Sequence, residues 1–95
     1  MGIASAIRNR KLLRFGYDGY LRTVEPHAYG TDRKNRNLLR AYQVAGGSES
    51  GEFVGWKLFR EDEMVAITET SDTFAGPRPD YKRGDRAIQR IIEEL

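Results

Sequence analysis

The pair Asp18-Gly19, set between two runs that alternate apolar and polar residues, constrains this chain more than any other feature. Leu13, Phe15 and Tyr17 alternate with Arg14, Gly16 and Asp18, the period of two that marks a strand with one buried face. Asp-Gly is a strong signal for a type I′ turn, because both central positions of that turn take positive φ. The chain is therefore expected to return antiparallel to itself, from Tyr20 through Val24. Pro26 has no N–H for a ladder and marks the end of this second strand, an edge or a bulge.

The same reading runs on in both directions. Ile3, Ala6 and Ile7 fall at helical spacing, so a short helix precedes the hairpin and ends near Lys11. Gly30 to Asn37 reads as an exposed basic loop, and Leu38 to Ala45 as a third strand. Gly46 to Gly51 is a flexible hairpin loop, Phe53 to Arg60 a fourth strand, Glu61-Asp62-Glu63 a charged turn and Met64 to Thr70 a fifth strand. Residues 75–84, with Gly76-Pro77-Arg78-Pro79, form a linker. Asp85 then stands as an N-cap before Ile88, Ile91, Ile92 and Leu95, which predicts a closing helix over 85–95. The expected fold is mainly β: a five-stranded bent antiparallel sheet, or an SH3-like or Sm-like barrel, with a short helix at each end. An OB-fold fits less well, since no helix lies between the third and fourth strands.

Length and composition set the limits. Ninety-five residues make one domain, 1–95, burying roughly 60–65% of its unfolded surface and leaving no depth for an enclosed active site. With no cysteine there are no disulfides, thiolate metal sites or Cys nucleophile. His27 is the one histidine, and without a Ser/His/Asp spacing it reads as structural or solvated. No metal, no cofactor and no catalysis are expected. No apolar run is long enough for a signal peptide or a membrane span, so no membrane association and a cytoplasmic location are expected.

Charge is placed unevenly. Residues 1–40 hold nine basic and three acidic side chains, net +6, whereas residues 41–95 hold seven and eleven, net −4. Twelve of the sixteen cations are Arg, the better fork for phosphate. In the third strand Arg40 shares a face with Leu38, Tyr42 and Val44. In the fourth, Arg60 shares one with Val54, Trp56 and Leu58. An Arg in phase with apolar residues snorkels, pairs with an acid such as Glu63 or Glu69, or lines a pocket beside aromatic rings. Trp56 is open to two readings, core residue or stacking platform. Arg33, Lys34 and Arg36 are either a phosphate clamp or a solvated loop.

These residues resemble the WYL domains of bacterial transcriptional regulators over roughly Ile7 to Phe74. The resemblance rests on Arg10-Lys11-Leu12-Leu13-Arg14-Phe15-Gly16-Tyr17, on Arg22-Thr23-Val24-Glu25-Pro26, on Phe59-Arg60-Glu61-Asp62-Glu63-Met64, and on Thr70 and Phe74. The chain departs from the family pattern at Asn37-Leu38-Leu39, where only one Leu of the naming tripeptide stands, and at Glu63, where the family has Arg. The resemblance implies an Sm-like barrel, free-standing here, with a surface for a ligand or nucleic acid. The expectation is thus a non-catalytic regulatory module for an anionic ligand, a nucleic acid or a phosphorylated small molecule. Tyr17, Arg22, Arg40, Tyr42 and Lys57 are the expected ligand-binding residues, with Arg33, Lys34 and Arg36 as an accessory basic loop. The alternative is a protein-interaction module or homodimer oriented by the charge asymmetry.

Overall fold

A computed structural model describes residues 2–95. Helix α1 (Ile3–Asn9) leads into β1 (Lys11–Tyr17), β2 (Tyr20–Thr31), β3 (Asn37–Gly46), β4 (Gly55–Arg60), a 3₁₀ turn (Glu61–Glu63), β5 (Val65–Thr73) and β6 (Arg90–Glu94). All pairs are antiparallel, in the order β4-β3-β2-β1-β5, with β6 also on β2. The sheet is open and does not close into a barrel.

The Asp18-Gly19 turn forms as its residues dictate, with φ of 52° and 79° and Tyr17 opposite Tyr20. Helix α1 stops where Arg10 turns left-handed, at φ 54°, and donates its N–H back to the Ala6 and Ile7 carbonyls. Its apolar stripe, Ile3, Ala6 and Ile7, closes over the concave face of the sheet. The same buried cluster holds Leu13 and Phe15 of β1, Val24 of β2, Leu39 and Ala41 of β3, and Phe59 of β4. Phe59 packs edge-on against Phe15 and Tyr17, each at 4.9 Å between ring centroids. Each such large buried side chain contributes roughly 1.5–3 kcal/mol, so this cluster is a main source of the fold's stability.

Pro26 interrupts β2 without ending it. The register with β3 shifts between Pro26 and Ala28, a bulge, and the strand runs on to Thr31. An extra residue on one strand of an antiparallel pair kinks that strand and increases its local twist. The strand therefore bends at the bulge.

That extension also corrects the expected helix over 85–95. Past the bulge, β1 no longer lies beside β2, and the backbone of residues 28–31 presents a free edge. The C-terminal segment fills it as β6, pairing Thr31 with Arg90, Gly30 with Ile91 and Ala28 with Glu94. An eleven-residue helix is marginal by itself, whereas a strand here satisfies a row of backbone groups and brings Ile88 into a small core with Ala28 and Leu38. Asp85 still caps a turn, its carboxylate accepting from the Ala87 N–H at 2.9 Å, but no helix follows. Residues 75–84 have neither helix nor strand, and they lie as a strap along the outer face of the sheet. No helix among the described residues is long and apolar enough to cross a membrane.

Candidate anion-binding surface

Which face of β3 points inward decides what its side chains can do. Leu39, Ala41 and Gln43 are buried on the concave side, so Leu38, Arg40 and Tyr42 lie on the outer one. Register places Tyr42 opposite Trp56 of β4, and their rings meet edge-on at 5.4 Å. The strap covers part of this aromatic floor. Arg78 lies 3.9 Å above the Tyr42 ring and holds the Glu25 carboxylate with two hydrogen bonds, 2.9 and 3.1 Å. Tyr81 stacks on Trp56 at 6.0 Å and 27°, while the Trp56 indole N–H donates to Asp80 at 2.8 Å. Burial pushes the Tyr81 hydroxyl up to about 12, so it stays protonated.

Between strap and sheet lies an open groove of about 520 Å³, lined among others by Arg40, Trp56, Tyr81, Lys82, Asp85 and Arg86. Arg86 also lines the neighbouring hollow beside the basic loop, together with Arg33 and Lys34. Arg33 and Arg90 line a third hollow beyond it. Neighbouring depressions share lining residues, Arg86 between the first two and Asp32, Arg33 and Gln89 between the second two.

The loop owes its shape to Asp32. One carboxylate oxygen accepts the backbone N–H groups of Lys34 and Arg36, each at 2.9 Å, and the other accepts Arg36 Nε at 2.8 Å. Hydrogen bonds from the Arg36 backbone and side chain hold this carboxyl below its usual range. Arg36 is thereby committed to the loop itself. Arg33, Lys34, Lys82, Arg86 and Arg90 are exposed, and among the described residues none has a carboxylate within ion-pair distance.

Arg40 is not one of these free cations. It pairs with Asp85 through a two-pronged contact, with 27% and 13% of the two side chains exposed. The partner is neither Glu63 nor Glu69. Burial raises the Asp85 carboxyl, but hydrogen bonds from Arg40 and the Ala87 N–H, with the charge of Arg40, outweigh it and hold the group below its ordinary value. The pair therefore stabilises the fold at all pH above the usual carboxylate range, near 4, and the gain fades as pH falls through the lower folded value. Replacing Arg40 with Ala leaves the largely buried Asp85 carboxylate with the Ala87 N–H but no counter-ion. We expect a loss of about 2 kcal/mol in denaturant melts at neutral pH, less than the 3–5 of a fully buried pair because Arg40 keeps some exposure. A melt identical to wild type would show that the pair carries no stability.

The five expected ligand-binding residues do not form one site. Arg40 and Tyr42 are on the outer face, while Tyr17, Arg22 and Lys57 are on the concave side. Arg22 is only 3% exposed, and it donates to Gln43 Oε1 at 3.2 Å and to the Tyr17 carbonyl at 3.1 Å. The rings of Tyr17, Tyr20 and Phe59 surround its guanidinium at 5.5–5.8 Å. Three π faces take the place of a counter-ion. The Tyr17 hydroxyl donates to Glu63 at 2.9 Å and accepts the Arg60 N–H at 3.2 Å, and burial raises it above its ordinary value. Lys57 donates to the Glu52 carbonyl at 2.7 Å and to Ser48 Oγ at 3.3 Å, bracing the β3–β4 loop. Arg60 pairs with Asp62 and Glu63.

Tyr81, Lys82, Arg86 and Arg90 were missed because they lie in segments read as linker and helix. An aromatic followed by four cations within ten positions was the available signal. Comparison with protein-family models, with curated proteins and with solved structures finds no match for the chain.

Proposed function

We propose that this protein is a non-catalytic regulatory module that binds single-stranded nucleic acid across its outer face, and that its sheet is an opened relative of the SH3-like or Sm-like barrel of WYL domains. The observation that carries the reading is the set of five cations, Lys82, Arg86, Arg33, Lys34 and Arg90, unpaired among the described residues, that line three adjoining depressions, the first of them lined also by Trp56. Such a set suits a chain of phosphates, and an aromatic face in the first depression suits a stacked base. A compact phosphorylated ligand would engage the groove end alone and leave Arg33, Lys34 and Arg90 unused. The one histidine has both ring nitrogens committed to backbone groups, which favours binding over acid–base chemistry.

Trp56 is the only tryptophan, so its fluorescence reports the groove directly. Short oligothymidylate added at low salt is expected to quench it saturably. Trp56→Leu is expected to lose roughly 5- to 100-fold in affinity, measured by anisotropy of a labelled oligonucleotide, the worth of one stacked base. Wild-type binding with no quenching, or undiminished binding by Trp56→Leu, would contradict a base at this position.

A further inference from the structure

His27 lies in the second half of β2, at the bulge, fully buried. Its Nδ1 is 2.8 Å from the Glu25 carbonyl oxygen, and its Nε2 is 3.2 Å from the backbone nitrogen of Arg78. A carbonyl oxygen can only accept, so Nδ1 carries the proton. A backbone N–H can only donate, so Nε2 carries the lone pair. Both neighbours thus dictate one tautomer of the neutral ring. The imidazolium, a donor at both nitrogens, would set Nε2–H against the Arg78 N–H.

The contacts around the ring show what that clash would disturb. Trp56 meets it edge-on at 4.7 Å, Phe74 stacks at 5.7 Å and Tyr81 leans on it at 4.9 Å. The Tyr81 hydroxyl and the Leu95 N–H both point at the His27 carbonyl. His27 is therefore the point where the strap, β4 and the C-terminal segment all meet β2. The charged groups that face it are Glu25 from β2 and Arg78 and Asp80 from the strap. Glu25 is already neutralised by Arg78, and Asp80 is held by the Trp56 indole. Each acid already has a partner, so its attraction for a new imidazolium is weakened and does not outweigh burial.

We propose that His27 is a proton-operated latch, which holds the strap on the sheet and the groove assembled while the ring is neutral and releases residues 74–86 when Nε2 takes a proton. The idea deepens the proposed function, as regulation of the same groove, and rests on that reading for its consequence but not for its geometry. Burial lowers the proton affinity of the ring in the closed form, against the opposing pull of the Glu25 carbonyl and carboxylate. The sign follows. An opened strap returns His27 to its ordinary value near 6.5 and binds protons more readily than the closed form. The closed form is thus favoured fully above that pH and loses ground as pH falls below it.

The test follows the strap and the groove separately, by NMR on the whole chain between about pH 7.5 and pH 5.5. The protection factor of the Arg78 amide reports the latch, and anisotropy of labelled oligothymidylate reports the groove. In wild type, protection is expected to fall by up to about tenfold across this range, because the open form gains a factor of ten for each pH unit below its value near 6.5. In His27→Gln, whose Oε1 can accept the Arg78 N–H but cannot titrate, protection is expected to stay constant. Protection that falls in wild type alone, with affinity falling in step, supports the latch. The same fall without oligonucleotide binding at either pH supports the latch and overturns the groove reading. Unchanged wild-type protection alongside measurable binding overturns the latch and keeps the groove. The wild-type titration decides the matter even if His27→Gln fails to fold.

Discussion

Gly30→Ala is expected to detach β6 and cost about 3 kcal/mol or more, although it adds one methyl group to an unremarkable strand position. A Cβ at Gly30 would overlap the Arg90 carbonyl oxygen and lie 2.5 Å from Cγ2 of Ile88. The first of these is backbone, fixed by the ladder between β2 and β6, so relief requires the ladder to part. Overpacking of a well-packed site costs roughly 1–3 kcal/mol when side chains can give way, and here the opposing atom cannot. Losing β6 also uncovers Ala28 and Leu38 by removing Ile88. Gly19→Ala is the control. Its φ of 79° makes any side chain strained, yet nothing lies within 4 Å of the new methyl, so about 1–2 kcal/mol is expected. Chemical denaturation of both variants, with amide exchange at residues 91 and 93, reads the difference. A Gly30→Ala protein as stable as wild type would mean that the C-terminal segment does not pair with β2, and a helix over 85–95 would regain its case.

The second large effect concerns binding. Reversing three of the free cations together, Arg33→Glu, Lys34→Glu and Arg86→Glu, is expected to weaken oligonucleotide binding at least about a hundredfold at moderate salt. Each phosphate contact to a single strand contributes a salt exponent of about 0.7, and each reversal also replaces attraction with repulsion. All three side chains are exposed and unpaired among the described residues, so the fold should change by no more than about 0.5 kcal/mol each. An unchanged melt with binding lost locates the ligand on this face. Binding that survives intact would move it elsewhere, and the concave end around Lys57 would be the next surface to test.

Much of the fold was legible in the sequence because its signals were local. Asp18-Gly19 fixed the hairpin, and the alternation of Leu13, Phe15 and Tyr17 fixed which side of β1 faces the core. Three features escaped, each for a nonlocal reason. Ile88, Ile91 and Ile92 satisfy helical spacing, but the free edge of β2 that captures them exists only once the Pro26 bulge has carried that strand past β1. The face of β3 bearing Arg40 and Tyr42 is the more aromatic one, and nothing in its own residues tells that Leu39, Ala41 and Gln43 are turned inward by α1 and Phe59. Arg22 reads as a surface cation until Tyr17, Tyr20 and Phe59, from three strands, are brought around it. The anion-binding face was half visible, in Arg33 and Lys34, and half hidden in a strap held down by His27, Arg78 and Tyr81.

The most direct test of a phosphate-tracking surface is the salt dependence of affinity. Oligothymidylate is titrated into wild type at several salt concentrations, and log K is plotted against log salt. Five contacts at about 0.7 each predict a straight line with a slope near −3.5, falling to about −1.5 or shallower in the triple reversal. A flat dependence, or no binding by wild type at low salt, would contradict the account.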